Sequence, residues 1–351
     1  MKKKYKYWII PALLGGALLI AGLSQEALSK ASLPGRGAEP QSAVILAMDT
    51  VMEVSVYGGG DELLKKVENR ILGLEDLLST TNENSEIYRL NQSGRGQVSE
   101  DTRRLLAEAL KLCEKTQGAL DLSIYPVVQA WGFTTGEYRV PEKDDLPPLL
   151  AAVDYRKIRL EGSTAALAPA MKIDMGGVAK GYAGDEMAAL LKNAGVTSAL
   201  LNLGGNVQAI GEKPDGSPWR VAVQSPQGEG PIAVVTVEDQ AVVTSGGYQR
   251  YFQDSQGRRY WHIIDPATGF PADSGLVSAT IIGDSGLYAD ALSTALFVMG
   301  LEKAADFWRD NRDFEAILIT KDQQVYITPG LKGRFSFTDE YKGRAPAIIK
   351  E

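Results

Sequence analysis

Short strand-like runs at 199–203, 220–224, 232–237, 241–244, 277–282, 316–319 and 324–328 follow one another through the second half of the chain. The shorter gaps between them are of hairpin length, and a parallel crossover needs a dozen or more residues. Such runs pair antiparallel, so the chain reads as α+β, antiparallel sheets with packed helices, rather than as a doubly wound sheet. Upstream, 43–57 (AVILAMDTVMEVSVY) is also β-rich. Four helices are expected. The span 61–78 carries Leu63, Leu64, Val67, Ile71, Leu74 and Leu78 at three- and four-residue spacing. A second helix over 99–116 turns Leu105, Leu106, Ala109, Leu110 and Cys113 inward. The others run over 181–193 and 288–299 and close at Gly195 and Gly300. There is no internal repeat and no second linker, which leaves one folded unit over 42–340.

The first 28 residues read differently. Lys2, Lys3, Lys4 and Lys6 precede an uncharged run of about 16 residues from Trp8 to Leu23, the pattern of an export signal. The run falls short of the roughly 20 residues that span a bilayer comfortably, so cleavage and retention as a short anchor are both compatible with it. Residues 29–41 (SKASLPGRGAEPQ) form a polar linker. The expected location is the outer face of the cytoplasmic membrane, or secretion. A formal charge of −7 disfavours nucleic acid as a partner, because phosphate neutralisation needs a basic stripe. The single cysteine, Cys113, cannot form an internal disulfide. With one histidine, His262, there is no Cys/His cluster, so a metal would have to be held by oxygen.

Two stretches carry chemistry. In KIDMGGVAKGYAGD (172–185) a strand ends in an acid, turns through two glycines and enters a helix. Backbone at such a turn can approach a phosphate or offer a carbonyl to a cation, and Lys180 adds positive charge. The plain alternative is a tight turn that needs glycine for its positive φ. Further glycine pairs in LNLGGNV (201–207) and TSGGY (244–248) suggest several loops converging on an anion. The second stretch, ADALSTAL, places Asp290 and Thr294 four apart, on one helical face with Ser293 beside them. An acid and a hydroxyl, completed by a carbonyl or water, suit Mg²⁺ bridging phosphates.

Taken in order, these motifs resemble the ApbE family of FAD:protein FMN transferases. The resemblance rests on Met48-Asp49-Thr50, Leu78-Ser79-Thr80 with Ser85-Glu86-Ile87 and Asn91, and Gly118 to Asp121 leading to Trp131-Gly132-Phe133. It continues through Asp174 to Tyr182, Gly204-Gly205, Pro218-Trp219-Arg220, Thr244-Ser245-Gly246, His262 to Gly269, and Ala289 to Thr294. It implies an α+β fold with T-fold-type antiparallel sheets. It also implies a Mg²⁺-dependent reaction that splits FAD, passes FMN to a threonine or serine of a partner protein and releases AMP. Carried over by motif, flavin contacts fall on Met48, Ala119, Leu120, Asp121, Asp174, Lys180 and Ile264 beside His262. The Gly177 carbonyl, Asp290 and Thr294 would hold magnesium. The implied acceptor is a membrane-associated electron-transport subunit.

His262 sits in YWHIIDPATGFP (260–271), where it can contact the flavin or act as general base on the incoming hydroxyl. One departure stands out. Many members place an aromatic residue four positions before the Ser-Glu pair, where this chain has Thr81. That region can influence whether FMN reaches an acceptor or water, so an FAD pyrophosphatase is the alternative activity, and an FAD carrier without turnover is a third.

Overall fold

The computed structural model describes residues 39–228 and 230–351. Residues 1–28, read above as an export signal, and all but the end of the expected linker lie outside the described residues. Among the described residues no helix is long and apolar enough to cross a membrane.

The backbone of the fold is a nine-stranded sheet whose spatial order is its chain order. Its strands are β1 (Gln41–Ala47), β2 (Thr50–Tyr57), β3 (Ser198–Leu203), β4 (Asn206–Ile210), β5 (Ala241–Gly246), β6 (Leu276–Gly283), β7 (Glu315–Thr320), β8 (Val325–Ile327) and β9 (Ala347–Ile348). Every neighbouring pair is antiparallel except β8 and β9. The β-rich stretch at 43–57 is therefore a hairpin, turned at Met48 and Asp49 with φ of 51° and 58°. The helices are α1 (Asp61–Leu78), α2 (Glu86–Ser93), α3 (Glu100–Lys115), α4 (Tyr125–Ala130), α5 (Leu146–Leu150), α6 (Ala179–Asn193), α7 (Gly286–Met299) and α8 (Leu301–Asp310). Strand β4 and helices α2, α4, α5 and α8 go beyond the sequence reading; each is ten residues or fewer, shorter than the window of about 11 or more over which periodicity separates an element from a loop.

Period-two alternation sends the two faces of the sheet to different cores. Val243, Ala279, Ile281, Ala316 and Leu318 pack under the helices. Their neighbours Val242, Ile282, Ile317 and Ile319 pack against Trp219, Val221 and Val235 of a separate three-stranded sheet. Coverage fails at the β1 edge, where Val44 and Leu46 are 69% and 72% exposed. Helix α7 is buried nearly all round, and its run of small and apolar residues fits a helix wedged between α6 and the sheet. Cys113 is fully buried in the helical core, and burial pushes its thiol up to about 12.

Candidate active site

The two stretches singled out in the sequence meet where α6 crosses α7. A Cβ at Gly181 would stand 2.2 Å from the Gly286 carbonyl oxygen and 2.6 Å from the Asp290 Cβ, so only glycine permits this approach. The Gly181 N–H donates to Asp290 Oδ2 at 2.8 Å. The pair at Gly176 and Gly177 is not a positive-φ turn, since neither appears among the left-handed glycines. Its smallness serves proximity instead. A Cβ on Gly177 would lie 3.3 Å from Leu120 Cδ1 and 3.8 Å from Thr294 Oγ1, which brings Leu120, Gly177 and Thr294 to one spot.

Asp290 is 5% exposed, and burial pushes its carboxyl above the usual carboxylate range. The charge of Lys180, the Gly181 N–H and the Asn206 side chain oppose that shift. One turn further on, Thr294 Oγ1 lies 3.2 Å from Ser245 Oγ, which is also 2.8 Å from Ser293 Oγ. The donor set is hard oxygen: one carboxylate, one hydroxyl and the backbone at Gly177. Among the described residues no group of three or more His, Cys, Asp or Glu side chains could hold a metal ion. A single carboxylate with neutral oxygens suits Mg²⁺ that takes its other ligands from water and substrate phosphates.

The second wall carries His262, joined to the first through Lys180, whose charge acts on both His262 and Asp290. The hairpin Tyr251–Gln253/Arg259–Trp261 delivers His262 next to Arg250. The Arg250 carbonyl accepts the His262 backbone N–H and faces Nδ1, each at 3.2 Å. A carbonyl partner assigns the ring proton to Nδ1 and leaves the Nε2 lone pair free. Burial first, then the charges of Arg250 and Lys180, lower the imidazole to about 4, so His262 is neutral near neutral pH. Beneath the hairpin lies an aromatic cluster. Trp131 packs against Phe252, Tyr260 and Phe270, Phe133 meets His262 edge-on, and Trp131 Nε1 donates to the Gly269 carbonyl at 2.8 Å.

Asp174 stands between the walls. Burial raises its carboxyl, while the Gly176 N–H at 2.9 Å and the charge of Arg250 oppose the rise. Its own N–H donates to the Leu122 carbonyl at 2.8 Å, tying it to the loop of Ala119, Leu120 and Asp121. Asp121 accepts from Ser123 N–H and Oγ at 2.8 and 2.6 Å and from Tyr155 N–H at 3.1 Å, so its carboxylate ties its own loop to the turn at Tyr155. Ile264 is 6% exposed and packs in the aromatic cluster. Ala119 packs partly against the main core, and Met48 sits on the first hairpin turn with its N–H on Glu75 Oε1 at 2.8 Å. Thr81 is tied into the loop after α1 by a 3.2 Å bond from its N–H to Ser79 Oγ.

The sequence reading did not single out Arg250, Asn206, Asp185 or Ser245 as site residues. Two of them, Asn206 and Ser245, flank glycine pairs it did flag, but nothing in their spacing revealed which way their side chains turn.

The fold and the site define an α+β protein with oxygen donors gathered at a helix crossing and a neutral imidazole that feels the charge of the same lysine. The chain belongs to the ApbE family, whose model matches residues 48–318. It is 32% identical to the FAD:protein FMN transferase of Treponema pallidum (strain Nichols), over 97% of this chain and 98% of that one. It is also 32% identical to the FAD:protein FMN transferase of Klebsiella pneumoniae (strain 342), over 85% of this chain and 94% of that one. Among solved structures, the ApbE protein from Thermotoga maritima superposes with a TM-score of 0.78 at 29% identity, covering 84% of this chain and 99% of that one. The flavin transferase ApbE from Vibrio cholerae gives 0.75 at 29% identity with the same coverage.

Proposed function

We infer that this chain is an FAD:protein FMN transferase: it takes FAD as substrate and passes FMN to a partner protein. The observation that carries the reading is the meeting of Gly177, Asp290 and Thr294 at the α6–α7 crossing, within the field of the same lysine that acts on His262. The matches to FAD:protein FMN transferases over most of the chain support it.

In this reading the acceptor is a threonine or serine hydroxyl. Its oxygen attacks the FMN-side phosphorus of the pyrophosphate, the bond from that phosphorus to the bridging oxygen breaks, and AMP leaves with the electron pair. His262 Nε2 receives the hydroxyl proton. Two negative phosphates placed near Lys180 and Arg250 oppose the cationic field on the imidazole, making it a stronger base with substrate bound. Asp290, Thr294 and the Gly177 carbonyl would hold Mg²⁺, which supplies charge neutralisation on the pyrophosphate oxygens. Asp174, Lys180 and Leu120 line the approach to the flavin end, with Met48 and Ala119 beside them.

The leader supports a location outside the cytoplasmic membrane. There the fitting acceptors are membrane-associated electron-transport subunits, for which a covalently held flavin cannot be lost to bulk solvent.

Intact-mass spectrometry tests this on the chain mixed with FAD, Mg²⁺ and a candidate acceptor, with AMP and FMN assayed in the same tube. The expected outcome is an acceptor heavier by one FMN residue and one AMP released per acceptor. Asp290→Ala should lower that rate roughly a thousand-fold, the several kcal/mol a metal supplies, while FAD still binds. Free FMN with an unmodified acceptor would favour the pyrophosphatase, and bound but intact FAD a carrier.

A further inference from the structure

Helices α6 and α7 cap each other. The first-turn N–H of Gly181 in α6, a helix without a side-chain cap of its own, is taken by the carboxylate of Asp290 from α7. The first-turn N–H groups of Gly286 and Leu287 in α7 are taken by the carboxylate of Asp185 from α6, at 2.6 and 3.0 Å. Asp185 Oδ2 also accepts the Ser285 hydroxyl at 2.8 Å, and Ser285 Oγ in turn accepts the Tyr288 N–H. Because the Gly181 and Gly286 backbones touch, the helices have no room to slide. Each carboxylate therefore fixes the register of the other helix.

Only one of the two carboxylates has a further task in the proposed reaction. Asp290 gives Oδ2 to α6 and keeps Oδ1 for the cation, so the position of Oδ1 depends on how α7 lies against α6. Thr294 rides on the same helix, and Gly177 immediately precedes α6. Resting on the metal-site reading above, we propose that Asp185 is the positioning residue of the metal site. Through the first turn of α7 it sets the distance from Asp290 and Thr294 to the Gly177 carbonyl, without itself touching metal or substrate. Burial pushes the Asp185 carboxyl up, opposed by the three donors it holds. A half-buried acid kept for capping alone would be redundant where Ser285 already caps the helix.

The test is Mn²⁺ affinity, read by electron paramagnetic resonance on the FAD-free protein, with FAD affinity measured separately by fluorescence. Asp185→Ala should weaken Mn²⁺ about 10- to 100-fold, the usual size of an outer-shell effect, with FAD affinity within about twofold. Raising Mg²⁺ should recover most of its turnover. Asp185→Asn keeps one acceptor oxygen and should fall between Asp185→Ala and the parent, and it decides the matter if the alanine variant does not fold. A lower melting temperature with unchanged Mn²⁺ affinity would make Asp185 a plain helix cap and overturn the proposal. Asp290→Ala is measured in parallel. If it binds Mn²⁺ as tightly as the parent, the metal does not sit at Asp290, and both readings fall. If it loses Mn²⁺ while Asp185→Ala does not, only the Asp185 proposal is lost.

Discussion

At the α6–α7 crossing backbone meets backbone, with two glycines in contact and two carboxylates, one buried and one half-buried, locking the register. On the opposite wall His262 stands on side chains: Trp131, Phe133, Phe252, Tyr260 and Phe270, gathered from three separate stretches of chain. The first wall is stiff because close backbone packing has few alternative arrangements. The second depends on many weak ring contacts, each about 0.5–1.5 kcal/mol beyond area burial, and can adjust when one is altered. A phosphoryl-transfer site gains from this division, because a metal site tolerates little displacement while an imidazole needs only to reach the hydroxyl proton.

The largest effect is expected from Trp131→Ala, which should cost about 3–5 kcal/mol in urea unfolding by emptying the centre of the aromatic cluster. If the walls are independent, the folded variant loses transfer rate but keeps Mn²⁺ affinity. Gly181→Ala should cost about 1–3 kcal/mol through overpacking and produce the converse, weak Mn²⁺ binding with the His262 wall undisturbed. Should either variant damage both functions equally, the contrast between the walls is wrong.

A finer probe is the histidine itself, since a single imidazole gives one unambiguous proton NMR titration. Its pKa of about 4 in the fold lies below the 6.5 usual for a free imidazole. Between those values the unfolded chain takes up a proton that the folded chain does not, so stability falls as pH drops through 6.5 and levels off below about 4. Arg250→Gln should move the midpoint upward and carry the acid limb of the transfer rate with it. A midpoint still at about 4 would mean that burial and Lys180 hold the imidazole down without help from the Arg250 charge. The smallest effect belongs to Cys113→Ser, away from both walls in the helical core. It should cost about 1 kcal/mol of stability and leave transfer unchanged, and lost transfer in a well-folded variant would show that the core couples to the site.

Much of this was legible in the chain. The helices expected over 61–78, 99–116, 181–193 and 288–299 lie within about two residues of α1, α3, α6 and α7, because their apolar spacing and terminal glycines are local signals. Asp290 and Thr294 could be paired from spacing alone, since four residues on a helix is one turn. Asp121 and Ile264 show the limit. Their motif placed them among the expected flavin contacts; in the fold the Asp121 carboxylate holds Ser123 and the turn at Tyr155, and the Ile264 side chain packs into the aromatic cluster. A motif records which residues recur, and it does not record which atoms face a ligand.

The sequence by itself determined the α+β character, the helix faces, the oxygen-only metal chemistry and the isolation of one imidazole. All of these follow from residue type and from periods of two and 3.6 residues. Tertiary structure alone brought Asp185 and Asp290, 105 positions apart, to the same helix crossing, one half-buried and one buried, each capping the other's helix. It also decided that Arg250, exposed and unremarked in the sequence, fixes the His262 ring through its carbonyl and helps keep it neutral through its charge. Hydrogen-bond partners across a helix crossing, and electric fields between loops, depend on distances in space that no local spacing encodes.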